Sequence, residues 1–233
     1  MNQDSHLASR PAGVDDPAFV PALRAGKLWA RRCLYVTYGS HVARILKRIL
    51  GRDAELDDMV QDVFIEAYTS ASGLRQASAL KAWLSRLTVF TARARIRRRQ
   101  VRRLVRFWDP RRLPEHQAPV AGGSTLDAVG RAHALLDRLG ADERIVFVLR
   151  FVEGMGLREI ATTCSCSLAT VKRRLASAQR TFVDAAHEEP AMARWLRAGR
   201  WAGLARGAVA DATNETSAVS DALSALFSEP EDV

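Results

Sequence analysis

Between Leu157 and Arg180 a short apolar helix, a small polar break and a longer helix follow one another, and the longer one carries Lys172, Arg173 and Arg174 in a row. These are the lengths a helix-turn-helix needs. Ile160 and Ala161 should face the second helix, the small alanine permitting close approach, while Val171 and Leu175 complete the wedge. Ser167 is placed to cap the second helix. A helix lying in the major groove reads base edges near its N-terminal half and holds phosphates with flanking cations. Ser167, Thr170, Lys172, Arg173, Arg174 and Ser177 are therefore the candidate DNA contacts. An ordinary pair of packed helices with a solvated basic face is the alternative that this local pattern leaves open.

Two further constellations carry charge. Ten arginines and a single acid, Asp109, lie between Arg93 and Arg112. Such a run suits the backbone of a polyanion, or is only a solubilising charge run. By contrast, Asp57, Asp58, Gln61, Asp62 and Glu66 share one face of a helix whose other face is Leu56, Met59, Val60, Val63, Phe64 and Ala67. An acidic stripe on a basic protein is repelled by DNA and suits the surface of another protein, unless it is a merely solvated face.

Nothing points to catalysis. The histidines at 6, 41, 116, 133 and 187 are scattered, and no Gly-rich phosphate loop, nucleophile elbow or spaced carboxylate pair is present. Cys164 and Cys166 have no second close pair or nearby histidine to complete a tetrahedral zinc set. We expect no catalytic residue, no metal and no cofactor. Three cysteines, two of them too close for an unstrained bridge, fit a reducing cytosol.

The elements that must position these residues are all helical. With 233 residues, 48% of them apolar, the chain can supply real cores, and 35 basic against 26 acidic side chains leave a charge of +9, consistent with a polyanionic partner. Residues 1–26 carry Pro11, Pro17 and Pro21 with no sustained period and read as a flexible N-terminus, so that the first ordered block starts near Lys27. They hold no apolar h-region, and no stretch of about 18 apolar residues occurs, so neither secretion nor a membrane span is expected. Helical spacing follows over Leu28–Leu50, with a possible break near Gly39 and a stop at Gly51, and again over Leu56–Ala67. Ser70 to Ser78 should be a loop. Leu80, Trp83, Leu84, Leu87 and Thr91 then mark a third helix that runs into the arginines.

Prolines and glycines over residues 109–125 mark a linker between a first domain, 27–108, and a second, 126–188. In the latter, Val129, Ala132, Leu136 and Leu139 suggest a helix closed by Gly140, Asp142 can cap the next, and Val171, Leu175, Ala178 and Phe182 form the buried stripe of the last. The extension 189–233 places Trp195 and Trp201 among Arg194, Arg197 and Arg200 before an acidic tail of small residues.

The stretch LDRLGADERIVFVLRFVEGMGLREIATTCSCSLATVKRRLASAQ resembles the fourth conserved region of sigma factors of the extracytoplasmic-function group. The blocks AELDDMVQDVFIEAY and LKAWLSRLTVFTARARIRRR resemble that group's second region. The two stand in the expected order, separated by a linker too short for the third sigma domain, and together cover roughly residues 28–187. The resemblance implies an all-α chain of two small helical domains, a region 2 bundle and a region 4 helix-turn-helix, acting in the cytoplasm with core RNA polymerase and promoter DNA. It implies polymerase binding through Asp57, Asp58, Gln61, Asp62 and Glu66, and capture of an unstacked minus-ten base by Ser70 to Ser78 and the following helix. Lys81, Arg93, Arg97, Arg98 and Arg99 would hold the opened strands, Arg95, Arg102 and Arg103 being similarly suited, while the helix-turn-helix reads the minus-thirty-five element. Three positions depart from the pattern: Phe90 and Ala94 stand where many members have asparagine and aspartate, Ser165 replaces the turn glycine, and Ala176 and Ser177 replace bulkier or basic residues. The tryptophan pair of the extension could dock on the protein itself, on a membrane surface or on an anti-sigma partner, and we favour the first. The rival readings are a stand-alone helix-turn-helix regulator and an interaction protein with no DNA role.

Overall fold

The computed structural model describes residues 13–107 and 125–189, and every regular element among them is a helix. The expected linker and the extension with Trp195 and Trp201 lie outside the described residues.

An amphipathic helix precedes the expected start of order. Helix α1, Phe19–Arg24, buries Phe19, Val20 and Leu23 against α2, and Phe19 meets Trp29 edge-on at 6.2 Å. Residues 1–26 are thus not wholly a flexible lead-in. Pro21 obscured the helix, yet it falls in the first turn, where its missing N–H has no intrahelical acceptor to lose.

Helix α2, Leu28–Leu50, runs unbroken through Gly39 and buries Val42, Ile45, Leu46 and Ile49 completely. Gly51 ends it at φ +74, a conformation that a side chain at this position would strain. Helix α3, Leu56–Thr69, buries Met59, Val60, Val63, Phe64 and Ala67, with Leu56 only half-buried. Between α3 and α4, two single 3-10 turns at Ala71–Gly73 and Ala77–Ala79 are pinned by buried Ala71 and Leu74. Helix α4, Leu80–Phe107, then crosses both α2 and α3 and continues through the arginines without interruption. Its buried line is Leu84, Thr88, Val89, Ala92 and Ile96, so Leu87 and Thr91 lie on the flank.

The second helical region comprises α5 (Thr125–Leu136), α6 (Ala141–Phe151), α7 (Leu157–Thr163) and α8 (Leu168–His187). Helix α6 is buried along most of its length and forms the centre on which α7 and α8 pack. Gly140, not Asp142, is its N-cap residue, and the Gly140 N–H donates to Glu143 at 3.2 Å. Asp142 sits in the first turn, which frees its carboxylate for other partners. All four expected stripe residues of α8 are buried.

The two regions touch. Helix α4 lies against α6 and α7, and α2 against α6, so the buried side chains form one continuous core. Polar contacts stitch the same seam. Arg44 and Arg48 of α2 both pair with Glu153 after α6, Arg48 at 2.8 Å and with a further bond to the Val152 carbonyl at 3.2 Å. Arg144, almost fully buried in α6, donates to the Ile49 carbonyl and pairs with Asp137. A Cβ at Gly51 would stand 2.9 Å from the His133 ring, so α5 closes directly over the end of α2.

That packing gives the seam a pH dependence. Burial, with the Arg144 charge adding and Asp137 opposing, pushes His133 from the ordinary 6.5 down to about 4, so the folded state prefers the neutral ring. The stability this contributes is complete above pH 6.5 and lost as pH falls toward 4, amounting to at most about 3 kcal/mol. Urea unfolding across that window should show a steeper loss of stability for the wild-type chain than for His133→Gln; parallel slopes would refute it.

Candidate nucleic-acid interface

The helix-turn-helix is built from its turn. Helix α7 closes with the Cys164 N–H donating to the Ile160 carbonyl at 2.8 Å, Ser165 to Thr162 at 3.2 Å and Cys166 to Ala161 at 3.0 Å. The chain can reverse this tightly because Ser165 takes φ +52, the left-handed region usually left to glycine. Ser167 then caps α8, its hydroxyl accepting from the Thr170 N–H at 3.1 Å and lying 2.9 Å from the Thr170 hydroxyl. Ile160, Cys164, Val171 and Leu175 are buried between the two helices, with Ala161 half-buried beside them. Burial pushes the Cys164 thiol up to about 12, so it is a packing group with essentially no thiolate at neutral pH.

The six candidate contacts divide. Ser167, Lys172 and Arg173 are exposed and Thr170 is half-buried along the outer side of α8, with Leu168 and Ala169 also exposed at its start. Arg174 turns the other way and pairs with Asp142 at 2.8 Å. Arg174 and Ser177, together with Arg173, line a cleft of about 540 Å³ that Arg97 and Gln100 of α4 also line.

Helix α4 divides similarly. Lys81, Arg97 and Arg98 are exposed. Arg93, half-buried, reaches Asp142 at 2.6 Å, and Arg97 approaches the same carboxylate at 3.8 Å. Asp142 therefore gathers Arg93 and Arg97 from one region and Arg174 from the other. Arg99 is turned inward to Asp53 and to the Leu50 carbonyl at 3.2 Å, and Arg95 grips Asp53 with two bonds of 3.0 Å. Burial alone would raise the Asp53 carboxyl, but the bonds from Arg95 and the Glu55 N–H, with the Arg99 and Arg95 charges, hold it below the ordinary 3.8. Arg95 and Arg99 thus anchor α4 to the loop after α2. A run of arginines in sequence does not reveal which ones the fold consumes.

On α3, Asp57, Asp58, Gln61, Asp62 and Glu66 are all exposed on one face. Ile65 stands among them, 58% exposed, and was not singled out by the sequence pattern. Asp53, Asp142 and Glu153 were missed as ionic anchors. The signal available for Glu153 was a lone acid closing an apolar helix before Gly154 and Gly156. Among the described residues no group of three histidine, cysteine or acidic side chains lies close enough to hold a metal ion.

Residues 34–102 match the family of sigma-70 region 2, and residues 130–180 that of sigma-70 region 4. The chain is 27% identical over 169 residues to an RNA polymerase sigma-H factor of Pseudomonas aeruginosa, an alignment covering 69% of this chain and 88% of the relative. It is 26% identical over 181 residues to an ECF RNA polymerase sigma-E factor of Escherichia coli, covering 70% and 89%. Among solved structures, CnrH in complex with the cytosolic domain of CnrY shares the fold with a TM-score of 0.52 and 22% identity, covering 73% of this chain and 96% of that one.

The strain at Ser165 is measurable. A left-handed residue with a Cβ costs about 1–2 kcal/mol, partly offset by the greater entropy glycine loses on folding. Ser165→Gly should raise the unfolding free energy by about 0.5–1 kcal/mol in chemical denaturation; an unchanged or lower midpoint would show that the turn is unstrained.

Proposed function

Because the chain belongs to the sigma-70 family, in its extracytoplasmic-function group, and directs promoter-specific initiation by RNA polymerase, we propose that three exposed surfaces divide that work. The acidic face of α3, Asp57, Asp58, Gln61, Asp62 and Glu66, docks on core polymerase. Lys81, Arg97 and Arg98 of α4, joined by Arg93, follow the opened minus-ten strand, and Arg99 acts at a distance by holding α4 in place. Ser167 and Thr170 of α8 face the bases of the minus-thirty-five duplex while Lys172 and Arg173 hold its phosphates, with Arg174 and Ser177 joining them once the cleft beside them opens. The observation that carries the reading is that one chain presents an exposed acidic face and two exposed basic faces on separate helices. A stand-alone DNA binder gains nothing from the first.

The chain supplies contacts in this reading and no catalytic group. Among the described residues no helix is long and apolar enough to cross a membrane, and we place its action in the cytoplasm, where polymerase and promoter are. CnrH was solved in complex with the cytosolic domain of CnrY, and binding of this chain by an anti-sigma partner is part of the proposal.

Geometry adds a requirement. The two promoter elements lie some 25 base pairs apart, roughly 85 Å at ~3.4 Å per pair. In the structure Arg93 and Arg174 share one carboxylate. The regions must therefore separate before both elements are read by one chain.

Run-off transcription with core polymerase over a genomic promoter library should yield promoter-dependent products with this chain and none without it; an empty library would sink the reading. Asp58→Lys with Asp62→Lys should weaken core binding by at least tenfold while leaving the fold intact by circular dichroism. Lys172→Ala should weaken promoter binding of the holoenzyme evenly across sequences and lower its log-log salt slope by about 1.

A further inference from the structure

The described residues end where Arg138 and Arg131 of α5 pair with Glu188 at 2.6 Å and with Glu189 at 2.8 Å. This fixes the point from which the extension starts. Helix α5 also carries His133 against Gly51, and α3 begins five residues after Gly51, so that point lies toward the N-terminal end of the acidic face. The twelve residues from Glu189 to Trp201 span up to roughly 40 Å at ~3.4 Å each, whereas Asp57 is six residues, at most roughly 20 Å, beyond Gly51. Among the described residues the face within this reach has no partner. Asp57, Asp58, Asp62 and Glu66 make no ion pair there, although Asp53, Asp142 and Glu153 are each held by arginines. The face is also partly apolar. Ile65 stands exposed among the acids, and Tyr35, half-covered by Phe64 at 4.9 Å across the two helices, continues the strip onto α2 with exposed Val36 and Leu28. Such a face fits an occupant with arginines and large apolar groups. Residues 190–210 have that composition: Arg194, Arg197, Arg200 and Arg206, no acid, and Trp195, Leu196, Trp201 and Leu204 set between the arginines.

We propose that the segment from Pro190 to Arg206 docks on the exposed face of α3 in its own chain, its indoles covering Ile65 and Tyr35 and its arginines pairing with the α3 acids, and so competes with core polymerase for that face. The competition rests on the reading of α3 as the polymerase surface. Exposed ion pairs contribute little, whereas an aromatic side chain buries about 150–250 Å², so the tryptophans supply the holding and the arginines the register. A short tether sets an effective concentration in the millimolar range, so a contact with a Kd of about 0.1 mM lowers the apparent core affinity by about tenfold. Core polymerase in excess displaces the segment, which makes the extension a threshold for engagement rather than a block.

The experiment uses the full chain with photo-crosslinking benzoylphenylalanine in place of Ile65 or, separately, of Trp201, and maps the crosslinked peptides. The probe at Ile65 should reach residues 190–206 and the probe at Trp201 should reach α2 and α3, both within one chain, in a yield independent of protein concentration and suppressed by saturating core polymerase. Trp195→Ala with Trp201→Ala should cut the yield from Ile65 by about fivefold and raise core affinity by about three- to tenfold, with the unfolding midpoint unchanged. Crosslinks from Trp201 confined to α5 or α8 would place the extension on the second helical region, and crosslinks between chains would assign the face to a second copy. Weaker core binding by the tryptophan variant would make the segment a polymerase contact. Each of these results overturns the proposal, as does an unchanged core affinity. Core binding indifferent to Asp58→Lys with Asp62→Lys would overturn the polymerase reading of α3 and the competition with it, whereas the crosslink map decides the contact by itself.

Discussion

The arrangement of the molecule depends on a carboxylate in a place that disfavours charge. Only 3% of the Glu153 side chain reaches solvent, and a buried carboxylate costs several kcal/mol unless it is paired and hydrogen-bonded. Arg44 and Arg48, one turn apart on α2, supply that pairing from the other helical region. The turn between α6 and α7 is thereby held against α2, which in turn sets the helix-turn-helix beside α4. Arg144 on the Ile49 carbonyl and His133 over Gly51 fix the same seam a few residues away.

A strongly basic chain must place its acids carefully, and the structure shows two uses for them. Asp53, Asp142 and Glu153 are each surrounded by guanidinium groups and determine how helices meet. Asp57, Asp58, Asp62 and Glu66 have no such role and stand at the surface of the bundle. Asp57 and Asp58 also lie in the first turn of α3, where the helix dipole favours negative charge. What separates the two sets is the side they face: Asp53, Asp142 and Glu153 lie where another helix brings arginines up to them, whereas Asp57, Asp58, Asp62 and Glu66 stand on the side of α3 opposite its buried stripe.

Periodicity made the helices legible, because a buried stripe of 3.6 repeat is a local property: Val42 to Ile49, Met59 to Ala67 and Val171 to Phe182 are all buried where the spacing puts them. The helix-turn-helix and the acidic face of α3 were legible for the same reason. Three features were not. Helix α1 was hidden by Pro21, which reads as a breaker unless its position in the first turn is known. Arg95 and Arg99 could not be told from Arg97 and Arg98, since the acid that binds them, Asp53, lies 42 and 46 residues earlier. Asp142 read as a cap, whereas its partners come from α4 and α8 and become visible only when the two regions meet.

That meeting explains why promoter reading should depend on polymerase. Arg93 and Arg174 already share an anionic partner in Asp142, so moving them to DNA phosphates gives up two existing ion pairs for new ones and recovers only part of the attraction. Separation also costs more than those pairs, because the core is continuous from α4 and α2 into α6, and opening returns apolar surface to water and unpairs Glu153 from Arg44 and Arg48. Promoter DNA alone offers phosphates and base edges, which can replace Asp142 but cannot cover that apolar surface. A protein partner can. On the proposed reading, core polymerase therefore supplies both the docking site for the acidic face of α3 and the compensation for the exposed seam, and the two basic helices become available together only in its presence.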